Sequence, residues 1–489
     1  MNGLDEERLP VIVAGGQCLE RDAPVSALDL MTRAARQCLA EAPALAGGVD
    51  RVSVVNVMSP VPPATATALA GRLGLSPART EVSTIGGNSP QWLLNRAADD
   101  IAAGRAQTVL VAGAEAQRTM KAMASPPPVP EEQSLPPDPV IGDGRAGVGQ
   151  AELDAGLIAP VHVYALFESV LAHRADRSLD EHRRVLGELM APFTAVAATH
   201  PAAWFPTRRT PEELSTVGPD NRLVAEPYPK LLCAVITVDQ GAAVLVTSLA
   251  AARRADVADR AVFCLSGAEA NDVWFPSARP DPGSSPAIAA AVGACLEAAG
   301  VGVDEVGAFD LYSCFPCAVE MAAQAIGIDV DDKRGLTVTG GLPYFGGPGN
   351  NYTLHAIATM TARLRETGGT GLVTGLGWYA TKHAVGVYGA DPPPGGWRRA
   401  DTTAAQTAID GTTRAVTGDA LGPATVMAST VVSGRDGRPS AAPVIARLDD
   451  GRQVAAAAED EELAALAGRN LVGERILLSG PLPRFRMAG

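Results

Sequence analysis

The chain alternates two hydrophobic patterns that together predict layered α/β structure. Apolar residues at helical spacing run through residues 26–42 and from Gln91 to Ala103. Short apolar runs from Val52 to Val57 and from Thr108 to Gly113 are typical of buried strands. Helical segments that alternate with such strands indicate sheets covered by helices.

The same order of elements recurs about 255–265 residues further along the chain. Residues 285–299 repeat the Ala-rich helix, and the run from Ala308 to Tyr312 repeats the strand that follows it. A glycine cluster then leads to a predicted helix near 352–365 and a strand from Gly371 to Gly375. The repeat predicts two similar α/β halves.

Two segments interrupt this repeat. Residues 125–139 contain seven prolines, too many for a helix or a central strand, and a long helical pattern runs from about Pro160 to His200. Such an insertion is either a lid over a site or a plain surface excursion. The runs from Leu232 to Val238 and from Ala242 to Thr247 predict two buried strands that close the first half.

The pattern changes again after the proline-rich stretch from Asp391 to Gly396. Residues 424–433 and 443–457 predict strands, and Arg435 to Arg438 predicts a hairpin turn between them. A short helix and a strand from Arg475 to Ser479 follow. The predicted domains are an N-terminal half at 1–250 with an inserted loop domain at about 118–225, a second half at 251–391, and a small β-barrel-like domain at 400–489.

Composition narrows the class of protein. The 489 residues are 47% hydrophobic and 19% charged, which excludes a disordered chain. The 40 basic and 54 acidic residues give a net charge of −14, which argues against nucleic-acid binding. The acidic start, scattered cysteines and short apolar runs predict a cytoplasmic protein without a membrane segment.

Cys314-Phe-Pro-Cys317 stands between a predicted strand and a predicted helix. A helix N-terminus lowers a thiol pKa, so the motif suits a redox turn or a thiolate nucleophile for acyl transfer. Two small buried residues at a strand–helix junction are an equally good interpretation. The six histidines form no metal-ligand spacing with the cysteines, and no metal site is expected.

Glycine-rich loops precede the predicted helices at matched positions of the two halves. The first contains Gly86, Gly87 and Asn88, and the second runs from Thr339 to Tyr352. Glycine permits close backbone approach, and clustered N–H groups can bind an oxyanion. Two tight turns are the simpler interpretation, but the matched positions favour a shared site.

Particular sequences in both halves resemble the thiolase superfamily, and among its members the type-1 thiolase-like proteins. They are Asp310-Leu-Tyr-Ser-Cys-Phe-Pro316, Pro227-Tyr-Pro-Lys230, Gly346-Gly-Pro-Gly-Asn-Asn351 and Thr381-Lys-His-Ala384. The resemblance covers about residues 8–390. It implies a thiolase fold, α/β with two βαβαβαββ halves in α/β/α/β/α layers, and the branch carries a C-terminal β domain.

The resemblance also implies that the usual catalytic side chains are missing. The acyl-accepting cysteine of thiolases falls at Gly86, the activating histidine at Gly347, and the acid/base cysteine near Gly375. Glycine can neither attack a thioester nor move a proton, so the two-cysteine Claisen mechanism is not available. The remaining candidates are catalytic Cys314, Tyr312 and His355, and substrate-binding Gly86, Gly87, Asn88, Gly346, Gly347, Asn350 and His383.

Three functions stay open on this basis. The chain binds CoA or acyl-CoA thioesters as a degenerate acyltransferase that uses other residues, or it binds them without catalysis, or it recruits a partner enzyme. The resemblance implies CoA or acyl-CoA as ligand, with no tightly bound cofactor. Because the type-1 branch is associated with monomers, a monomer is favoured over a homodimer.

Overall fold

The computed structural model of the protein describes residues 4–123, 135–480 and 482–488. Most of the proline-rich segment predicted at 125–139 lies outside the described residues. The strands are β1 Pro10–Leu19, β2 Arg51–Val54, β3 Arg79–Ser83, β4 Thr108–Ala116, β5 Val140–Ile141, β6 Leu223–Ala225, β7 Tyr228–Pro229, β8 Asp239–Ser248, β9 Val262–Asn271, β10 Ala308–Asp310, β11 Thr370–Gly377, β12 Lys382–Gly389, β13 Arg398–Arg399, β14 Gly422–Ser429, β15 Val432–Ser433, β16 Pro439–Ala441, β17 Pro443–Leu448, β18 Gln453–Ala458, β19 Arg475–Ser479 and β20 Arg484–Met487. The α-helices are α1 Ala27–Glu41, α2 Thr65–Leu73, α3 Ser89–Ala103, α4 Gln117–Ala122, α5 Gln150–Asp154, α6 Pro160–Arg174, α7 Leu179–Thr199, α8 Pro211–Ser215, α9 Leu249–Arg254, α10 Pro286–Ala299, α11 Pro316–Ile326, α12 Tyr352–Thr367, α13 Thr403–Asp410 and α14 Leu463–Leu466.

The two halves share one mixed sheet of 11 strands. Its order is β10-β11-β12-β9-β1-β8-β4-β2-β3-β5, with β13 beside β9. In each half a parallel pair (β2 with β4, β10 with β11) is followed by an antiparallel strand (β8, β12). The halves meet where β1 pairs with β9 through Val11 and Phe263. This arrangement confirms the predicted pair of similar halves.

The helices form layers on this sheet because their apolar faces pack against it. Helices α3 and α12 contact each other and strands of both halves, so they form the central layer. Helix α1 covers β1, β8 and β4, and helix α10 covers β9 and β12 on the outer sides. The predicted α/β layering is confirmed.

Helices α1 and α10 show the repeat in side-chain detail. Ser26 caps α1 by accepting a hydrogen bond from the Asp29 N–H, and Ser285 caps α10 in the same way. Cys38 and Cys295 lie near the ends of these helices, and both are fully buried against the sheet. The repeat therefore extends from the order of elements to capping and core residues.

The helical pattern from Pro160 to His200 forms two helices, not one. Helix α6 ends at Arg174, and Asp176 takes a positive φ of 50° that a continuous helix does not allow. Ser178 then restarts the chain as α7, because its side chain and that of Glu181 form a capping box. The predicted helical stretch is confirmed, with a break at residues 175–178.

The predicted strand from Leu232 to Val238 is also wrong. This segment is irregular after a short 3-10 turn, and Ile236 is 56% exposed. Its N–H groups donate to other loops instead of a strand, that of Ala234 to the Cys314 carbonyl and that of Val235 to the Leu342 carbonyl. Strand β8 then begins at Asp239.

The C-terminal strands β14, β17, β18, β20 and β19 close into a barrel, as expected for a β-barrel-like domain. The predicted strand 443–457 is instead a hairpin, because a turn at residues 449–452 separates β17 from β18. The Leu448 N–H donates to the Arg452 carbonyl across that turn. The predicted turn from Arg435 to Arg438 joins β15 to β16.

A smaller sheet connects the inserted region to the C-terminal region. Its order is β16-β15-β6-β7, so strands from both regions pair with each other. None of the helices in the described residues has the length and apolar character needed to cross a membrane.

Candidate functional site

The two glycine loops meet at the N-termini of the central helices. The Gly86 N–H donates to Asn350 Oδ1 over 2.9 Å. The Thr353 hydroxyl, on the first turn of α12, donates to the Gly87 carbonyl over 2.7 Å. Asn350 also donates to the Asn56 carbonyl over 3.0 Å. The structure thus brings together loops that are more than 250 residues apart in the sequence.

Neighbouring side chains fill the space beside Gly86 and Gly87. A Cβ atom on Gly86 would lie 2.9 Å from Lys382 Nζ and 2.4 Å from Asn88 Oδ1. A Cβ on Gly87 would lie 2.3 Å from the Tyr312 hydroxyl. Gly86 also has a φ of 155°, which few L-residues adopt. No larger residue fits either position without movement of these neighbours.

The end of strand β11 completes this arrangement. A Cβ on Gly375 would lie 3.0 Å from the Asn88 Cα, and one on Gly377 would lie 2.4 Å from Asn88 Oδ1. Asn88 Oδ1 is buried and has no hydrogen-bond partner. We call Gly86, Gly87, Asn88, Gly375 and Gly377 the glycine junction.

Lys382 is the cationic group of this junction. Its side chain is 4% exposed and its amine donates to the Ile85 carbonyl over 2.5 Å. Burial lowers its pKa to about 8, although the negative charge of Asp143 favours the protonated amine and raises the pKa in part. Lys382 was not among the residues predicted from the sequence. Lys382 and His383 point to opposite faces of strand β12, and both are buried because both faces of that strand are covered.

Tyr312 and Cys314 follow strand β10 on the other side of the junction. The Tyr312 N–H donates to Thr374 Oγ1 over 2.9 Å, and burial raises the pKa of its hydroxyl. Cys314 is 7% exposed and burial raises the pKa of its thiol to about 12. The thiol is therefore protonated at neutral pH. Cys314 and Cys317 are free cysteines.

The two candidate histidines have other partners. His355 is fully buried, its Nδ1 lies 2.8 Å from Gln17 Oε1, and its Nε2 has no partner. Burial lowers its pKa to about 3, so the ring is neutral. His383 Nε2 lies 3.1 Å from Asp272 Oδ2 and 3.2 Å from the Ser285 hydroxyl, at the start of α10.

A small cavity adjoins two of the candidate residues. Its volume is about 10 Å³, and its lining includes Tyr312, His383, Ser285 and Thr374. A space of this size holds one water molecule at most. The structure thus brings Tyr312 and His383 to one small, mostly apolar cavity, whereas His355 lies against Gln17 and the ring of Phe345.

Gly346 and Gly347 hold the second loop against the irregular segment before β8. Gly346 has a φ of 110°, and a Cβ there would lie 2.4 Å from Gln240 Oε1. The Gly347 N–H donates to the Val235 carbonyl over 2.9 Å. Gln240 Nε2 donates to the Phe345 carbonyl, which fixes the loop a second time. These contacts place Asn350 beside Gly86.

Comparison with known proteins bears on this geometry. A family model described as the thiolase-like protein type 1 additional C-terminal domain matches residues 405–479. The solved structure of a monomeric SCP2-thiolase-like protein type 1 (STLP1) from Mycobacterium smegmatis is 34% identical, with 99% of each chain covered and a TM-score of 0.86. The chain belongs to the type-1 SCP2-thiolase-like proteins. The family resemblance of the sequence is thereby confirmed.

More distant solved structures share the fold. An Ltp2-ChsH2(DUF35) aldolase is 19% identical over 79% of this chain and 99% of its own, with a TM-score of 0.60. An acetyl-CoA acetyltransferase from Syntrophomonas wolfei is 16% identical over 78% and 100%, with a TM-score of 0.59. At such identities the likeness shows the fold alone. Comparison with curated proteins found no match.

Proposed function

We propose that this type-1 thiolase-like protein binds CoA or an acyl-CoA thioester at the glycine junction without forming a covalent acyl-enzyme. The observation that carries the proposal is the pair of polar groups beside Gly86. The Lys382 amine and the Asn350 amide lie where the family resemblance puts the acyl-accepting cysteine of a working thiolase. The Lys382 amine can donate a hydrogen bond to a thioester carbonyl, but in this role it breaks no bond. Asn350 accepts from the Gly86 N–H through Oδ1 and donates to the Asn56 carbonyl through Nδ2, so it holds the loop in place.

The local chemistry favours binding over acyl transfer. Positions 86, 87, 347 and 375 are glycines, so none offers a nucleophile or a base. Cys314 is the remaining thiol candidate, and its raised pKa of about 12 leaves very little thiolate at neutral pH. His355 is hydrogen-bonded to Gln17, so activation of Cys314 by His355 would require both side chains to move.

We propose that a ligand enters the junction beside Ile85, where side chains have to move because Lys382 is buried. The Ile85 side chain is 43% exposed, and its carbonyl accepts the hydrogen bond from Lys382. Arg145 lies near Lys382, since its charge contributes to lowering the lysine pKa. A thioester that approaches past Ile85 would meet the amine first.

A basic groove is suited to the phosphate end of CoA. Its volume is about 740 Å³, and it lies between helix α7 and the segment that carries Arg208 and Arg209, with Glu188 at its edge. In the described part of the chain, neither guanidinium forms an ion pair with an acidic side chain. A groove of this size can hold a nucleotide-sized ligand.

The groove is connected to the junction through backbone hydrogen bonds. The Trp204 and Phe205 N–H groups donate to the carbonyls of Phe345 and Tyr344 over 2.7 and 2.9 Å. Those carbonyls belong to the loop that ends at Asn350. We propose that the phosphate end of CoA lies in the groove and its thioester at the junction.

Calorimetric titration with CoA and with acetyl-CoA tests this proposal. We expect saturable binding with one site per chain. Arg208→Ala combined with Arg209→Ala should weaken binding of both ligands about 10-fold or more, because two charge-assisted phosphate contacts are lost. The matched control, Arg435→Ala with Arg438→Ala, changes two exposed arginines of the β15–β16 turn and should bind as the wild type does.

Lys382→Met separates the two parts of the proposed site. It should weaken acetyl-CoA binding more than CoA binding, because CoA lacks the thioester carbonyl. No saturable binding of either ligand by the folded wild-type protein would overturn the proposal and leave partner recruitment as the function to test. The solved relative is described as monomeric, and we expect the same stoichiometry for this chain.

A further inference from the structure

A second polar cluster lies away from the glycine junction, where three helices meet. Glu168 on α6, His182 on α7 and Glu320 on α11 place one ligand atom each within 4.8 Å of one another. Glu168 and His182 are 0% and 1% exposed, and Glu320 is partly buried. We call these three residues the carboxylate–histidine cluster.

Hydrogen bonds hold the cluster in place. His182 Nε2 lies 2.6 Å from Glu168 Oε1. The Tyr228 hydroxyl donates to Glu168 Oε2 over 2.6 Å. The Cys317 N–H, at the start of α11, also donates to the Glu168 carboxylate. The position of Glu168 is therefore fixed by groups from three elements besides its own helix.

The polar atoms of the cluster are incompletely satisfied. Glu320 Oε2 and His182 Nδ1 are buried and have no hydrogen-bond partner. The two carboxyl groups face each other, so burial and their mutual charge raise the pKa of Glu320. The positive group that acts on the cluster is Arg177, on the loop before α7. Buried polar atoms left without partners are costly, which indicates a missing ligand.

We propose that Glu168, His182 and Glu320 bind one first-row divalent transition-metal ion, with Zn²⁺ as the ion to test. Two carboxylate oxygens and one imidazole nitrogen are ligands of Zn²⁺, whereas Ca²⁺ and Mg²⁺ prefer oxygen ligands throughout. A neutral imidazole carries a proton on one ring nitrogen and offers the other to the ion, and His182 Nε2 is the nitrogen that faces Glu168. An ion at this place would satisfy Glu320 Oε2 and neutralise the two facing carboxylates.

Binding of the ion releases protons. The Nε2 atom of His182 faces Glu168, and it can bind the ion only when the ring proton is on Nδ1. Any proton that the two carboxyl groups carry leaves to solvent when their oxygens bind the ion. Because fewer protons compete with the ion at higher pH, the affinity should rise with pH.

The ion would join the inserted region to the second half. Helices α6 and α7 belong to the insertion, and α11 follows strand β10 of the second α/β half. The proposed site therefore acts as a structural clamp between two regions of the chain, and bound metal should raise the thermal unfolding midpoint.

The test uses the full chain, dialysed against a chelator and then titrated with Zn²⁺. We expect one Zn²⁺ per chain by calorimetry, a higher unfolding midpoint, and tighter binding at pH 8 than at pH 6. Glu320→Gln and His182→Asn should each lower the affinity at least about 100-fold. His173→Asn, which changes an exposed histidine at the end of α6, is the matched control and should bind normally.

Two results would overturn the site. One is the absence of stoichiometric Zn²⁺ binding by a folded wild-type chain. The other is binding that Glu320→Gln leaves unchanged. If the two carboxyl groups only share a proton and bind no metal, Zn²⁺ will not shift the unfolding midpoint of the wild type. In that case the unfolding midpoint of the Glu320→Gln variant will equal or exceed that of the wild type. Because Glu320 is partly buried, Glu320→Gln decides the question even where His182→Asn does not fold.

Discussion

The glycine junction and the carboxylate–histidine cluster differ in what occupies their centres. The junction lies where the family resemblance puts the reactive side chains of a thiolase, yet it contains backbone, one amine and amide groups. The cluster lies where helices α6 and α7 of the insertion meet α11 of the second half, and it contains two carboxyls, an imidazole and a phenol. The carboxylate–histidine cluster therefore holds more titratable groups than the glycine junction, where catalytic side chains were expected.

The buried polar groups of the two regions suit different ligands. At the junction, the donor is the Lys382 amine, whose partner is the backbone carbonyl of Ile85, and a neutral thioester carbonyl can replace that partner. In the cluster, anionic acceptors outnumber the available donors, which suits a cation. The predictions below perturb one region at a time.

The largest effect is expected for Glu168→Ala in the metal-free protein. It leaves the Tyr228 hydroxyl and His182 Nε2 buried without their acceptor and opens a cavity. We expect a loss of about 3–5 kcal/mol in the free energy of unfolding, measured with urea. Glu188→Ala, on the exposed face of α7, should change it by less than about 0.5 kcal/mol. A small loss at Glu168 would mean that the cluster is not tightly packed.

Gly87→Ala should destabilise the junction by about 1–3 kcal/mol, because the new Cβ meets the Tyr312 hydroxyl and the Leu376 carbonyl. Tyr312→Phe in the same chain removes the first of these clashes and should restore part of the stability. The control is Gly71→Ala, in open space on helix α2, which should be neutral or stabilising. Equal effects of the two alanines would show that the junction is not closely packed.

The free energy of unfolding should depend on pH because of Glu168 in the carboxylate–histidine cluster. Burial raises the pKa of Glu168 from 4.5 to about 7. The folded metal-free chain therefore holds this proton more tightly than the unfolded chain does, and the resulting stability is full below pH 4.5. It is lost as the pH rises through about 7.

Glu168→Gln isolates this contribution. Relative to that variant, the wild-type free energy of unfolding should fall by about 2 kcal/mol between pH 4.5 and 7.5. His355 titrates the other way, since its lowered pKa costs stability as the pH falls, but it does so in both proteins. A constant difference between the two proteins across this range would refute the assignment of a raised pKa to Glu168.

The smallest expected effect is that of Cys314→Ser on ligand binding. The thiol is buried and protonated, and the proposed binding groups are on other residues. We expect dissociation constants for CoA and acetyl-CoA within about twofold of the wild type, which is about 0.4 kcal/mol. A large loss of acetyl-CoA affinity would show that Cys314 is part of the binding site.

Local signals predicted much of the fold. Apolar periodicity indicated α1 and α10, and the matched glycine loops favoured a shared site between the two halves. The end of α6 was missed because a residue with positive φ, Asp176, carries no strong signal in sequence. The prediction of a strand from Leu232 to Val238 was wrong because N–H groups of this segment donate to loops that are distant in the sequence.

The polar groups were harder to predict than the elements. The glycine positions followed from the family resemblance, but Lys382 was not selected, because alternation along a strand cannot show that both faces are buried. The cluster draws on helices α6, α7 and α11, and Glu168, His182 and Glu320 share no motif spacing. Such a site emerges from tertiary packing alone.

Intact-protein mass spectrometry, after incubation with acetyl-CoA and longer acyl-CoAs, tests the central claim most directly. The protein should keep one unmodified mass while calorimetry on the same sample shows saturable binding. An acyl group mapped to Cys314 and lost in Cys314→Ser, or one mapped to Lys382, would contradict this account and make the chain an acyltransferase with a relocated nucleophile.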